Sequence, residues 1–173
     1  MKKVLLTAMI LGGCAVFAGD LYDNMASTQQ KLQEWSSNQS AQLLPNGGKE
    51  GKYALEFNCP KTSTKMIVFT VPVDKVKGKK VEFSADVKGE NIVTSKDYTG
   101  TKLMIYVKDA DGKESYREGR SVQSARKGTF DWRDLETEVV IPENAVSVQL
   151  FVGIQEASGK VLFSDIDFDI DND

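Results

Sequence analysis

Alternating apolar and polar residues recur along most of this chain. The alternating runs cover residues 52–57, 80–87, 102–107, 135–141, 146–154 and 162–170. A period of two places every second side chain on one face of a β-strand, whereas a helix repeats every 3.6 residues. Residues 66–71 are almost continuously apolar, which predicts a strand covered on both faces. The pattern therefore predicts a chain built almost entirely of β-strands.

Turn-forming residues separate the predicted strands. Breaks fall at residues 45–48, 77–78, 88–89 and 109–112, which are rich in Gly, Asn, Asp and Pro. Residues 109–112 also resemble the start of an EF-hand loop, but Asp and Gly favour a tight hairpin there. Only residues 24–35 have a helix-like spacing. Seven or more short strands with turns between them are typical of an antiparallel β-sandwich.

The first residues of the chain predict an export signal. Lys2 and Lys3 precede an apolar run over residues 4–11, and residues 16–18 fit a signal-peptidase site. This predicts a signal peptide over residues 1–18 and one domain over residues 20–171. Residues 11–14 resemble a lipobox, so lipidation at Cys14 stays open as the alternative. The run is too short for a membrane span, so we expect at most a lipid anchor.

The composition of the chain limits which catalytic and binding functions are possible. The 173 residues carry a formal net charge of −3 and no histidine. The commonest general base and metal ligand is therefore missing, which excludes Ser-His and Cys-His triads. Scattered basic residues predict no nucleic-acid partner. Cys59 shares its strand parity with Leu55 and Phe57, which predicts a buried thiol.

The last third of the chain resembles a known family. Residues 128–132 read Gly-Thr-Phe-Asp-Trp, and residues 139–142 read Val-Val-Ile-Pro. An alternating run follows over residues 146–152, and residues 159–166 read Gly-Lys-Val-Leu-Phe-Ser-Asp-Ile. This order resembles the end of a jelly-roll carbohydrate-binding module of the galactose-binding-domain-like type. The resemblance implies a jelly-roll β-sandwich that binds glycans, and it implies that Trp132 packs in the core.

The resemblance also bears on metal binding. Residues 165–173 carry an aspartate at every second position. Such a row is typical of a solvated strand face or of a charged edge strand that discourages pairing between molecules. Asp165 matches the second aspartate of the family's Phe-Asp-Asp-Val, a ligand of a structural calcium in many members. Asp23 is the candidate for the first-strand ligand. The sequence thus requires no cofactor, and calcium at Asp165 and Asp23 is the one cofactor that the resemblance adds.

Strand parity selects candidate sugar-binding residues. If Leu103 and Leu150 face the core, then Tyr106, Gln149 and Phe151 face outward. An aromatic ring stacks on the apolar face of a pyranose, and polar side chains bond its hydroxyl groups. The candidate site residues are Tyr106, Phe151, Gln149, Asp86 and Arg117. The alternative is that residues 20–46 cover both rings. Trp35 fits either the core or a binding face.

These observations lead to two hypotheses for the function. The first is a secreted, non-catalytic glycan-binding protein that binds polysaccharide or oligosaccharide on a concave sheet face. The second is a structural or protein-interaction domain of the cell envelope with the same fold. Both place the protein outside the cytoplasm, either secreted or in the periplasm or at the outer surface. Surface carboxylates occur here without a recognisable catalytic motif, so we do not expect an enzyme.

Overall fold

The computed structural model describes residues 22–119, 122 and 125–171. The predicted signal peptide, its cleavage after Ala18 and the lipidation at Cys14 lie outside these residues. The strands are β1 (Gln42–Leu44), β2 (Ala54–Val71), β3 (Lys80–Thr94), β4 (Gly100–Asp109), β5 (Glu114–Arg117), β6 (Gly128–Val140) and β7 (Ala145–Asp171). All their pairings are antiparallel.

Short helical turns complete the described part. The helix α1 (Gln29–Leu32) lies within the segment that the sequence predicts as helix-like. Its N-cap is Thr28, whose side chain accepts a hydrogen bond from the backbone amide of Lys31. Single 3₁₀ turns occur at Asn38–Ser40, Lys49–Gly51 and Val73–Lys75. No described helix is long and apolar enough to cross a membrane.

Two long strands, β2 and β7, link the two layers of the sandwich. The first half of β2 pairs with residues 159–163 of β7, and its second half pairs with residues 148–154. The first layer therefore contains β1, the start of β2, the end of β7, β3 and β6. The second layer contains the end of β2, the start of β7, β4 and β5. This arrangement is the predicted antiparallel jelly roll.

The core lies between these layers and follows the predicted parity. Leu103, Ile105 and Val107 of β4 are buried, as are their β7 neighbours Leu150 and Val152. Aromatic rings fill the first layer's side. Phe57 meets Phe163 edge to face at 5.8 Å, and Phe83 meets Phe168 at 6.4 Å. Period-two burial therefore accounts for most of the core.

Two predictions about the strands are wrong. Residues 88–89 do not form a turn, because β3 continues through them to Thr94. Gly89 sits there because a side chain at this position would overlap the ring of Phe130. Residues 66–71 are buried on one face only: Ile67 and Phe69 point into the core, whereas Thr70 is exposed.

The hairpin prediction at residues 109–112 is confirmed. These residues join β4 to β5, and Gly112 has a φ of 80°. A side-chain oxygen of Asp109 accepts hydrogen bonds from the backbone amides of Asp111 and Lys113. The carboxylate thus closes the turn.

The N-terminal described segment docks on the end of β7. Tyr22 forms a β-bridge with Phe168, and the backbone amide of Asn24 donates to a carboxylate oxygen of Asp167 at 2.6 Å. Burial, followed by the nearby Asp23 and Asp169, raises the pKa of Asp167 to about 6. The docked segment therefore holds one carboxyl group in surroundings that favour its protonated form.

Cys59 is fully buried, which confirms its prediction, and it yields a test. Cys59→Ser should lower the free energy of unfolding by about 1–3 kcal/mol, because a hydroxyl replaces an apolar thiol without a hydrogen-bond partner. Chemical denaturation measures the difference. The native thiol should also react slowly with a thiol reagent, and rapid labelling under native conditions would contradict the assigned burial.

Asp167 predicts a pH dependence of stability. The folded protein binds its proton more tightly than the unfolded chain, so stability falls as the pH rises from about 4 to about 6. Asp167→Asn keeps an oxygen for the amide of Asn24 and carries no charge. Its melting temperature should exceed that of the parent protein by about 1–3 °C above pH 6. Equal differences at pH 4 and pH 7 would contradict this account.

Candidate functional site

The outward face of the second layer brings three predicted site residues together. Tyr106 and Gln149 are direct partners across β4 and β7, and Phe151 lies two residues further along β7. The register adds neighbours on both sides. We call the outward set of side chains the aromatic face: Val68, Met104, Tyr106, Tyr116, Gln149 and Phe151.

The rings on this face are accessible. Tyr116 is 58% exposed, and Tyr106 and Phe151 are each partly exposed. The rings of Tyr106 and Tyr116 lie 4.9 Å apart at an interplanar angle of 43°. They form a tilted pair, and Phe151 stands between Met104 and Val68 in the next row. The face therefore offers a strip of apolar surface open to solvent.

Polar groups accompany the rings. Partial burial and a hydrogen bond with Glu114 raise the pKa of Tyr106 to about 12. The hydroxyl group is protonated at neutral pH and can serve a ligand as donor or acceptor. The amide of Gln149 is both a donor and an acceptor. Lys108 and Glu114 form an ion pair at 3.7 Å beside them. This mixture of flat apolar surface and hydrogen-bonding groups suits a polyhydroxylated ligand.

The N-terminal segment contributes to the core. Trp35 is 2% exposed, its ring lies 5.4 Å from that of Phe69, and its indole nitrogen donates to the carbonyl oxygen of Met25. Ser36 pairs with Val68 along the edge of β2. Trp35 is therefore a core residue. The described part of the segment that could have covered Tyr106 and Phe151 leaves both rings partly exposed.

A buried charge cluster borders the aromatic face. Lys102 follows the same outward parity as Met104 and Tyr106, yet its side chain is only 5% exposed. Its ammonium group contacts Glu118, which also binds Arg126, and it donates to the carbonyl oxygen of Tyr98 at 2.6 Å. Each charged group of the cluster has a partner, so the cluster can hold the backbone near Tyr98 and Glu118 in place beside the aromatic face.

Asp86 and Arg117 do not join this face. Asp86 belongs to the first layer, is 9% exposed and pairs with Lys49 at 2.9 Å. Arg117 lies opposite Ile105, so it follows the parity that points away from Tyr106. The predicted grouping of all five residues needed their strands to share one sheet face. The structure separates these two from the other three.

The candidate calcium ligands have other partners. A carboxylate oxygen of Asp165 lies 2.8 Å from the ammonium group of Lys52, and Asp23 accepts from the side-chain amide of Asn24. Among the described residues, no three Cys, Asp or Glu side chains are grouped closely enough to hold a metal ion. In this arrangement, the described residues around Asp165 and Asp23 do not form a calcium site. Calcium binding stays a prediction, and melting curves recorded in calcium and in chelator would test it.

Sequence reasoning also misplaced or missed some side chains. Trp132 is only half-buried and is not part of the core, where Phe130 and Leu135 of the same strand pack instead. Tyr116 was missed, although the hairpin at residues 109–112 sets the register that places it opposite Tyr106. Val68 was missed because its apolar run resembled a strand covered on both faces.

Solved structures share this fold. No protein-family profile and no curated protein matches the sequence. The N-terminal CBM22-1–GH10 modules of Clostridium thermocellum endo-1,4-β-D-xylanase 10B, complexed with xylohexaose, align with a TM-score of 0.63 and 14% identity. That alignment covers 88% of this chain and 29% of the other.

Isolated binding modules align over nearly their whole length. The C-terminal family 22 carbohydrate-binding module of Clostridium thermocellum Xyn10B aligns with a TM-score of 0.59 and 14% identity, over 90% of this chain and 96% of that one. The CBM22-1 xylan-binding domain of Paenibacillus barcinonensis Xyn10C gives 0.58 and 17%, over 88% and 95%. This chain therefore has the jelly-roll fold of carbohydrate-binding modules, as its sequence predicts.

Proposed function

We propose that this protein is an exported, non-catalytic glycan-binding protein whose ligand lies on the aromatic face. The observation that carries the proposal is the register of Tyr106, Tyr116, Gln149 and Phe151. It assembles partly exposed rings and the side-chain amide of Gln149 on one sheet face. The fold, which is that of carbohydrate-binding modules, supports the same assignment.

Binding on this face would combine two interactions. The apolar CH face of a sugar ring would stack on Phe151 or on the tilted pair of Tyr106 and Tyr116. Sugar hydroxyls would bond the amide of Gln149 and the tyrosine hydroxyls. Stacking excludes water from the ring, while the hydrogen bonds orient the sugar. A polysaccharide or oligosaccharide is therefore the proposed partner.

The predicted export signal and the lack of a catalytic motif support the rest of the proposal. An exported binding module meets polysaccharide outside the cytoplasm, and the carboxylates of this sequence lie in no recognisable motif of a glycoside hydrolase. The alternative is a protein-interaction domain of the cell envelope. It would use the same apolar strip to dock a protein, so the two functions differ in the ligand and share the surface.

Removal of the stacking rings tests the glycan-binding role. Tyr106→Ala or Phe151→Ala should weaken binding about tenfold, which corresponds to about 1–2 kcal/mol, because each change removes a stacking anchor. A glycan array first identifies the ligand, and isothermal titration then measures the change. The melting temperature should change little, because these rings are partly exposed.

Tyr98→Ala is the matched control. Tyr98 is 61% exposed but lies outside the aromatic face, with the ammonium group of Lys96 at 5.5 Å from its ring. This variant should keep the parent affinity. Equal losses in all three variants would contradict the assignment to the aromatic face. A purified domain that binds no polysaccharide on the array would instead favour the protein-interaction role.

A further inference from the structure

A second cleft opens on the first layer, away from the aromatic face. It has a volume of about 430 Å³, and none of its lining residues belongs to the aromatic face. Residues of β2, β3 and β7 line it: Asn58, Cys59, Pro60, Glu90, Asn91, Ser158, Gly159 and Lys160. This volume lies within the range of small-molecule sites, about 300–1,000 Å³.

Register breaks in three neighbouring strands create the cleft. The pairing of β2 with β7 shifts between Cys59 and Lys65, and the pairing of β3 with β7 shifts between Glu90 and Val93. Both breaks occur where β7 passes through residues 154–160. Bulges in adjacent strands bend the sheet locally and end its regular pairing. The cleft therefore results from the strand geometry at the point where β2 and β7 cross between the layers.

The backbone around the cleft adopts uncommon conformations. Asn91 has a φ of 51° and Gly159 has a φ of 119°. A Cβ atom at Gly159 would lie only 2.6 Å from the carbonyl oxygen of Asn91, so glycine is required for the close approach of the two strands. Thr129 holds the backbone of Asn91 in place, because its hydroxyl oxygen accepts a hydrogen bond from the backbone amide of Asn91 at 3.0 Å. These contacts hold the backbone of β3 and β7 in place at the edge of the cleft.

The lining is polar and its charges balance. Asn58, Glu90 and Lys160 stand in one cross-strand row, and the ammonium group of Lys160 lies 2.8 Å from the carboxylate of Glu90. This pairing also raises the pKa of Lys160. Ser158 and Asn91 add neutral donors and acceptors. The described lining contains no aromatic ring, so recognition there would rest on hydrogen bonds.

We propose that this cleft is a second ligand site for a neutral, polyhydroxylated molecule the size of a mono- or disaccharide. The ion pair of Glu90 and Lys160 offers a ligand one hydrogen-bond acceptor and one donor, and it carries no net charge. Such a pair suits the hydroxyl groups of a neutral ligand better than it suits an ionic ligand. If the aromatic face also binds glycan, which rests on the proposed function above, the two sites would bridge separate sugar chains.

Amide NMR of the intact domain tests the site. Galactose, cellobiose, mannobiose and xylobiose are titrated separately, and the side-chain amides of Asn58 and Asn91 report on the cleft. At least one of these sugars should shift both signals in a saturable manner. Asn58→Ala and Lys160→Ala should each weaken that binding about tenfold, because each removes a hydrogen-bonding partner.

Lys88→Ala is the matched control, since Lys88 lies in the same layer and pairs with Asp131 at 3.1 Å outside the cleft lining. It should leave the affinity unchanged. The Phe151→Ala variant should keep the cleft signals, so loss of glycan binding at the aromatic face and loss at the cleft are separate results. Shifts confined to the aromatic face, or no shift at the Asn58 and Asn91 amides with any of the four sugars, would overturn the proposal.

Discussion

The antiparallel pairing of β2 with β7 is the constraint on which the rest of the structure depends. These strands pair with each other in both layers and cross together from one to the other near Cys59 and Gly159. Every other sheet strand pairs with one of them or with a strand already paired to them. Their crossing fixes which halves of β2 and β7 face the same core. It also commits the outward residues of each half to a different surface.

Both candidate surfaces follow from this crossing. In the second layer the two strands pair regularly, so Thr70, Gln149 and Tyr106 form a straight row and the face stays open. At the crossing itself the register breaks, and the polar cleft beside Lys160 opens. Under the two proposals, the regularly paired region would let an extended sugar stack on rings, and the bulged region would hold a smaller ligand among hydrogen-bonding groups. The same strand pair would thus support two kinds of recognition.

The electrostatics differ between the layers. Carboxylates from three strands share the outward side of the first layer, where Glu82 lies opposite both Asp169 and Glu138. Lysines offset some of this charge, as Lys80 does for Glu138 at 2.6 Å. In the second layer, ion pairs border the aromatic face, whose own residues are all uncharged. The aromatic face therefore favours a ligand with little net charge.

The sequence by itself determined most of the strands and their inward faces, because period-two burial is a local property that Leu103 and Leu150 already show. The jelly-roll class came from the resemblance of residues 128–166 to carbohydrate-binding modules. The sequence also placed Tyr106, Gln149 and Phe151 outward. Only the tertiary structure decided which strands are neighbours: it paired Tyr106 with Gln149 and moved Asp86 to the other layer. The alternation of apolar and polar residues shows to which face of a sheet each side chain points. It does not show which strand lies beside it, since pairing depends on residues distant in sequence. For the same reason, the layer crossing and its cleft left no sequence pattern that could have been recognised.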